Sequence, residues 1–230
     1  MPALDLGVNI SNSNNLDLYI EMASRIGLTG LATQNIDDGP IKKMDDGFLV
    51  LKRFDVSGRG LNSIKKQVTS ARKQSMIVSV PLTTIEIANW AAEESRVDLL
   101  TLDPSREHRF RDSTARLAVD SGTCLEIQFA PLLDSVGLSR SKIIKTFREA
   151  VHTAMSGGMP VVLSSGATHP LQMRSVMAMR YIGTLLGMTS KYTETAVCEV
   201  PFEILEKNQK KLNPDFVAEG VEIVQRGGNG

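Results

Sequence analysis

Short apolar runs alternate with amphipathic stretches along nearly the whole chain. Runs at 3–8, 28–33, 48–54, 76–80, 97–102, 123–129 and 160–164 are rich in Val, Ile and Leu and bounded by Gly, Pro, Ser or Asp. They are too short for helices, so they predict seven strands. Between them the apolar period lengthens to three and four residues. In 140–155, Ile143, Ile144, Phe147, Val151 and Met155 form one stripe, with Lys142, Lys145, Arg148 and His152 away from it. That spacing predicts a helix, with Ser139 or Ser141 as N-cap and Gly157-Gly158 as its stop. Comparable patterns at 15–26, 60–74, 83–95, 111–121 and 170–186 predict five more helices.

Strand–helix alternation with near-continuous apolar strands is the pattern of a parallel sheet covered by helices. Seven units without a break in composition favour one barrel over two domains. The polar stretch 35–47 reads as a loop, and 190–198 and 201–212 read as further helices. The run 221–224 reads as an eighth or edge strand. The expected organisation is therefore a single barrel domain over 1–224, with a flexible, glycine-rich tail at 225–230.

Composition narrows the class. The 230 residues are 42% hydrophobic and 23% charged, which suits a chain that buries a real core and excludes disordered, collagen-like and disulfide-rich classes. No apolar run approaches the roughly 18 residues of a membrane span, and the first ten residues lack the pattern of a secretory signal. Cys124 and Cys198 stand in no metal-binding or redox spacing, so buried free thiols in a reducing cytoplasm are expected.

Net charge is zero, but its distribution is uneven. Residues 1–50 hold 3 basic and 7 acidic side chains, and residues 51–116 hold 12 and 8. The run 52–73 contains Lys52, Arg53, Arg59, Lys65, Lys66, Arg72 and Lys73 against the single acid Asp55, and 140–148 holds Arg140, Lys142, Lys145 and Arg148 with no acid. Such runs are either solvated helix faces or local polyanion contacts.

Barrel chemistry belongs at the C-terminal ends of the strands. That rim is expected to present Gly7, Asn9, Thr33, Gln34, Asp103, Arg106, Gln128 and the turn Ser164-Ser165-Gly166. The only histidines are His108, His152 and His169, none in metal-ligand spacing, so no resident metal site is expected. Ser164-Ser165-Gly166 reads as a phosphate-gripping turn or a tight strand-to-helix connection, with Arg174 opening the next helix. Glu126, flanked by Leu125 and Ile127, alternates onto the opposite face, toward the barrel mouth. A structural salt bridge to an arginine is its favoured role over acid/base chemistry.

Several of these residues, in order and spacing, resemble a known family. Val97-Asp98-Leu99-Leu100-Thr101-Leu102 is followed by Ala115-Arg116-Leu117-Ala118, Leu125-Glu126-Ile127 and Pro131-Leu132-Leu133. Then come Val161 to Ala167, Arg174, Leu185-Leu186-Gly187-Met188, Ala196-Val197, Pro201, Ile204-Leu205 and Asn208. From about 96 to 208 the set resembles the ribonuclease P protein component 3 family, archaeal homologues of the thirty-kilodalton subunit of the eukaryotic enzyme.

The resemblance implies a TIM-like α/β barrel of about seven parallel strands, related to the polymerase-and-histidinol-phosphatase (PHP) barrels. Those phosphoesterases open with a first-strand D-x-H-x-H metal motif. Here Asp5-Leu6-Gly7-Val8-Asn9 carries glycine and asparagine instead, so that metal site is expected to be missing. The implied role is that of an RNA-binding and scaffolding subunit of the endoribonuclease that removes the 5′ leader of precursor tRNA. The RNA carries catalysis and its magnesium, and the isolated chain is non-catalytic and holds no cofactor. Implied partners are ribonuclease P RNA, precursor tRNA, protein component 2 in a two-plus-two assembly and other ribonuclease P proteins, in the cytoplasm and away from membranes.

Two features depart from the family pattern: the chain is neutral where archaeal members are often clearly basic, and Met177 stands where many relatives carry an acidic residue shortly after the arginine. The residues expected to meet RNA or another anion are Lys52, Arg53, Lys65, Lys66, Arg72, Lys73, Arg106, Arg109, Lys142, Lys145, Ser164, Ser165 and Arg174. The alternative is a small-molecule barrel enzyme of aldolase or isomerase type that holds a phosphate at Ser164-Ser165-Gly166. It lacks a convincing catalytic lysine, since Lys52 stands beside Arg53 and points outward.

Overall fold

The computed structural model describes residues 2–36, 39–58, 60–105 and 110–212, with the backbone of 216–218 and 221–222. All seven predicted strands form: β1 (Leu4–Asp5), β2 (Gly30–Thr33), β4 (Leu49–Asp55), β5 (Ile77–Pro81), β6 (Leu99–Thr101), β7 (Cys124–Gln128) and β8 (Val161–Ser164). Each pairs in parallel with the next, in the order β1-β2-β4-β5-β6-β7-β8. The result is a nearly closed, TIM-like barrel.

The seam between the two end strands is closed by single bonds from the residues that follow them. Gly166 N–H donates to Gly7 O at 2.8 Å, and Asn9 N–H to Ala167 O at 2.8 Å. Ser165 N–H donates to the Asp5 carboxylate at 3.0 Å.

The stretch 35–47 is not wholly loop. β3 (Ile41–Lys43) pairs antiparallel with β4, Ile41 opposite Leu51 and Lys43 opposite Leu49. The first half of β4 is thereby covered on the side where its second half pairs with β5 from Arg53 onward. Three residues at an exposed edge leave too short a period to separate from a polar loop. The run at 221–224 does not extend the barrel: β10 (Val221–Glu222) pairs with β9 (Phe216–Ala218), and residues 223–230 lie outside the described residues.

Alternation divides the strand side chains between two cores. Residues such as Leu125, Ile127, Val78, Val80 and Leu31 face outward and pack beneath the helices. These are α1 (Leu16–Arg25), α2 (Leu61–Ala71), α3 (Ile85–Glu93), α4 (Asp112–Ser121), α5 (Ala130–Asp134), α6 (Gly137–Gly157) and α7 (Val176–Leu185). α6 starts earlier than predicted, with Val136 as N-cap and no side-chain cap bond; it stops at Gly158, whose φ is +80°. The helix predicted over 170–186 is a 3-10 turn at Pro170–Gln172 followed by α7, which is capped by Ser175.

Leu4, Leu6, Leu51, Ile77, Leu99, Cys124 and Val162 face inward. After α8 (Ser190–Glu194) and one π-helical turn, α9 (Val200–Leu212) plugs this inner core with Val200, Ile204 and Leu205. Asn208 of α9 donates to Met76 O at 2.9 Å and to Asp98 at 2.8 Å. Both cysteines are buried free thiols, and burial pushes the Cys124 thiol up to about 12. Among the described residues, no helix is long and apolar enough to cross a membrane.

Candidate functional site

One level above the apolar layer, the barrel interior turns polar. The period that points Leu49 and Leu51 inward brings Arg53 and Asp55 after them on β4, and the same period on β7 brings Glu126 after Cys124. Arg53 is 2% exposed and Glu126 fully buried. They meet in a two-point pair: Nη1 to Oε1 at 2.6 Å and Nη2 to Oε2 at 2.7 Å. Arg53 also reaches Asp55 Oδ1 at 2.7 Å and Leu6 O at 2.5 Å. Glu126 takes further bonds from Thr101 Oγ1 at 2.6 Å, Ser164 Oγ at 2.8 Å and Gln128 Nε2 at 3.2 Å. Glu126 thus lies inside the barrel and in a salt bridge to an arginine, as expected, and that arginine is Arg53 of β4.

The electrostatics follow from that pairing. Burial acts to lower the Arg53 pKa, but Glu126 and Asp55 outweigh it, so the guanidinium stays charged. Burial acts to raise the Asp55 carboxyl, and Arg53 more than offsets this, holding it below the ordinary carboxylate range. Asp5 differs. Burial raises its pKa against the bonds from Ser165 and Gly7, and its Oδ2 is buried without a partner.

The first-strand positions serve the barrel seam. A Cβ on Gly7 would stand 2.8 Å from Glu126 Oε1 and 2.8 Å from the Ser164 Cβ, so no side chain fits there. Gly7 and Asn9 close the seam, and the space a side chain on Gly7 would take is occupied by Glu126, Ser164 and Gln128. A phosphoesterase metal cluster does not fit these residues. Among the described residues, no group of three or more His, Cys, Asp or Glu could hold a metal ion.

The rim turn is similarly used up. Ser164 and Ser165 are fully buried. Ser164 donates to Glu126, Ser165 N–H goes to Asp5, Gly166 N–H goes to Gly7 O and Ala167 N–H goes to Ser165 Oγ. Gly166 has φ +66°, the left-handed turn that lets the chain cross the seam. The expected anion-accepting turn is corrected: its donors are consumed internally, and no helix begins at Gly166. The phosphate-binding enzyme alternative loses its site with it. Arg174 lies two residues before α7, half-buried, and donates to Leu171 O and Met173 O.

The basic residues part in two. Arg53 and Arg72 are corrected as surface contacts, because both are inside. Arg72 Nη1 pairs with Asp98 at 2.7 Å while Nη2 reaches the Ser75 and Met76 carbonyls. Lys65, Lys66 and Lys73 share one outer face of α2 and its end with Thr69 and Ser70. Lys65 Nζ lies 5.5 Å from the Trp90 ring centroid, a distance at which the ring holds the ammonium group. Lys66 and Lys73 are exposed and Lys52 is half-buried. On α6, Lys142 is exposed and Lys145 approaches Glu149 at 3.9 Å. α3 and α4 pack side by side between the two basic faces, so these are separate surfaces. Arg106 and Arg109 lie outside the described residues.

Sequence reasoning missed Asp55, Ser79 and Thr101 as members of the interior network, and placed Gln34 on the rim without its bond to Asp55. The alternation of 49–55 carried the signal for Arg53 and Asp55: both stand in phase with Leu51, which is buried.

Comparisons with known proteins agree with this architecture. A ribonuclease P protein component 3 from Methanosarcina barkeri is 24% identical over 220 residues, 93% of this chain and 91% of its own length. Its counterpart from Methanococcus maripaludis is 25% identical over 221 residues, 90% and 93% of the two chains. A chain in the cryo-EM structure of archaeal ribonuclease P with mature tRNA has the same fold, with TM-score 0.79 and 20% identity over 96% of this chain and 98% of that one. A crystal structure of an amidohydrolase shares the barrel more loosely, with TM-score 0.52 and 12% identity over 90% of this chain and 75% of that one. The model of the RNase P subunit p30 family matches residues 3–213, and the chain belongs to that family.

Proposed function

We propose that this chain is a protein subunit of ribonuclease P and supports 5′ maturation of precursor tRNA by binding and positioning RNA, with catalysis carried by the RNA and its magnesium. The observation that carries this reading is the family match over 3–213, together with relatives named as ribonuclease P protein component 3 that span the chain's length. The geometry supports a non-catalytic role. Among the described residues, buried Glu126 and half-buried Asp55 are both paired with Arg53, which leaves neither of these two carboxylates available as a general base.

RNA contact is assigned to the outer lysines. Lys65, Lys66 and Lys73 present ammonium groups from one face, which suits phosphates of a backbone rather than base edges. Each phosphate neutralised releases counterions, so three contacts give a salt-dependent but modest affinity. Asp45 and Asp46, both exposed, oppose free RNA elsewhere on this neutral chain. Stable binding therefore belongs to the assembled particle, with ribonuclease P RNA, precursor tRNA, component 2 in a two-plus-two assembly and other ribonuclease P proteins, in the cytoplasm.

The test is reconstitution of precursor-tRNA cleavage from ribonuclease P RNA and its protein partners, with and without this chain, across magnesium concentration. Adding the chain is expected to lower the magnesium needed for half-maximal cleavage and to raise the rate. No change, or cleavage by this chain without RNA, would contradict the proposal.

A further inference from the structure

The Arg53 guanidinium is ringed by oxygen. Leu6 O lies at 2.5 Å, Glu126 Oε1 and Oε2 at 2.6 and 2.7 Å, Asp55 Oδ1 and Oδ2 at 2.9 and 3.1 Å from Nε, and Thr101 Oγ1 at 3.5 Å. Two carboxylates, a carbonyl and a hydroxyl make up the donor set of a site for hard cations.

A second set of groups holds these oxygens from behind, independently of the arginine. Ser164 and Gln128 donate to Glu126, and Gln34 Nε2 donates to Asp55 Oδ2 at 2.6 Å. Ser79 Oγ lies 2.5 Å from Thr101 Oγ1. Such outer partners fix ligands in place whether or not the central charge is present. The backbone wraps closely, since Gly7 approaches Glu126 without room for a Cβ and Leu6 turns its carbonyl inward. The ring carries two negative charges, and one guanidinium is the cation inside it.

We infer that the barrel interior is a cation cage in which Arg53 is the resident cation, and that it accepts an oxygen-preferring divalent metal ion once that side chain is removed. The guanidinium is tethered to β4, so it cannot leave and it exposes no open coordination position. The barrel therefore keeps a cation at its centre for structure while being closed to metal-assisted hydrolysis. This inference stands on the interior geometry alone and does not depend on the RNA-binding reading.

The experiment is thermal unfolding of wild type, Arg53→Ala and Arg53→Gln, titrated with MnCl2 against NaCl at matched ionic strength. Electron paramagnetic resonance counts the bound Mn2+. Both variants are expected to melt below wild type. Mn2+ should raise the Arg53→Ala melting temperature saturably, by about 4 °C at ten times its dissociation constant, with one ion bound per chain. Wild type and Arg53→Ala/Glu126→Gln should show no such shift. If Arg53→Ala is recovered unfolded, refolding in MnCl2 but not in NaCl is the equivalent readout. Mn2+ without effect on folding or stability of both single variants, or one Mn2+ held equally by wild type and the double variant, would overturn the inference.

Discussion

The basic run 52–73 ends up in two places with opposite fates. Its arginines at 53 and 72 turn inward onto Glu126, Asp55 and Asp98, while its lysines at 65, 66 and 73 stay on the outer face of α2. The difference follows from the side chains. A guanidinium presents five donors in a rigid fork, so one group can satisfy a carboxylate twice and still reach a carbonyl. An ammonium group is compact and strongly hydrated, and leaving it in water costs nothing. The same local density of positive charge therefore builds a core at one pair of positions and a solvent-facing basic surface at the others. Charge counted along a sequence does not separate these outcomes. The strand period does at Arg53, and the end of a helix does at Arg72.

Substitutions in the two regions should behave differently, and the interior gives the larger effects. Glu126→Gln leaves Arg53 buried with only Asp55 as an ionised partner, and is expected to destabilise the fold by about 3–5 kcal/mol. Chemical denaturation checks it; a loss below about 1 kcal/mol would mean the pair is not a structural keystone. Gly7→Ala comes next. Its Cβ would meet the pinned Glu126 Oε1 and the Ser164 Cβ at 2.8 Å each, which predicts a loss of about 1–3 kcal/mol. A melting temperature equal to wild type would show that the seam can open without strain.

Asp5 gives a smaller, pH-dependent effect. Its folded pKa is raised by burial, so its contribution to stability is fully present below the unfolded value of 3.8 and is lost as pH rises through the folded value. Asp5→Asn keeps an acceptor for the Ser165 and Gly7 N–H groups and removes the buried charge. Stability measured against pH should then be flatter in the variant, with its advantage over wild type greatest at neutral pH. A variant that is less stable than wild type at neutral pH and equal to it in acid would show that the ionised carboxylate is needed.

How much of this was legible in the sequence depended on the range of each interaction. All seven barrel strands announce themselves through local composition and period, because all but the half-buried β4 are mostly buried on both faces and they are bounded by breakers. Glu126 could be placed inside the barrel from Leu125 and Ile127 alone. Its partner could not, because Arg53 is 73 positions away and no local pattern encodes that register. The turn Ser164-Ser165-Gly166 shows the converse failure. Small residues after a buried strand suit an anion, but here the same N–H groups close the seam to Asp5 and Gly7. Competition between an outside ligand and an inside acceptor is settled only by where the first strand lies. β3 was missed for a simpler reason: three residues beside a polar turn carry too few periods to register.

The division of labour between a sealed interior and a charged exterior is tested most directly by the salt dependence of precursor-tRNA cleavage in the reconstituted enzyme. Lys65→Ala/Lys66→Ala is expected to melt like wild type, and to reduce the slope of log affinity against log salt by about one to two, uniformly across substrate sequences. An unchanged slope in an intact, folded particle would contradict it, and would show the α2 lysines to be no more than a solvated helix face.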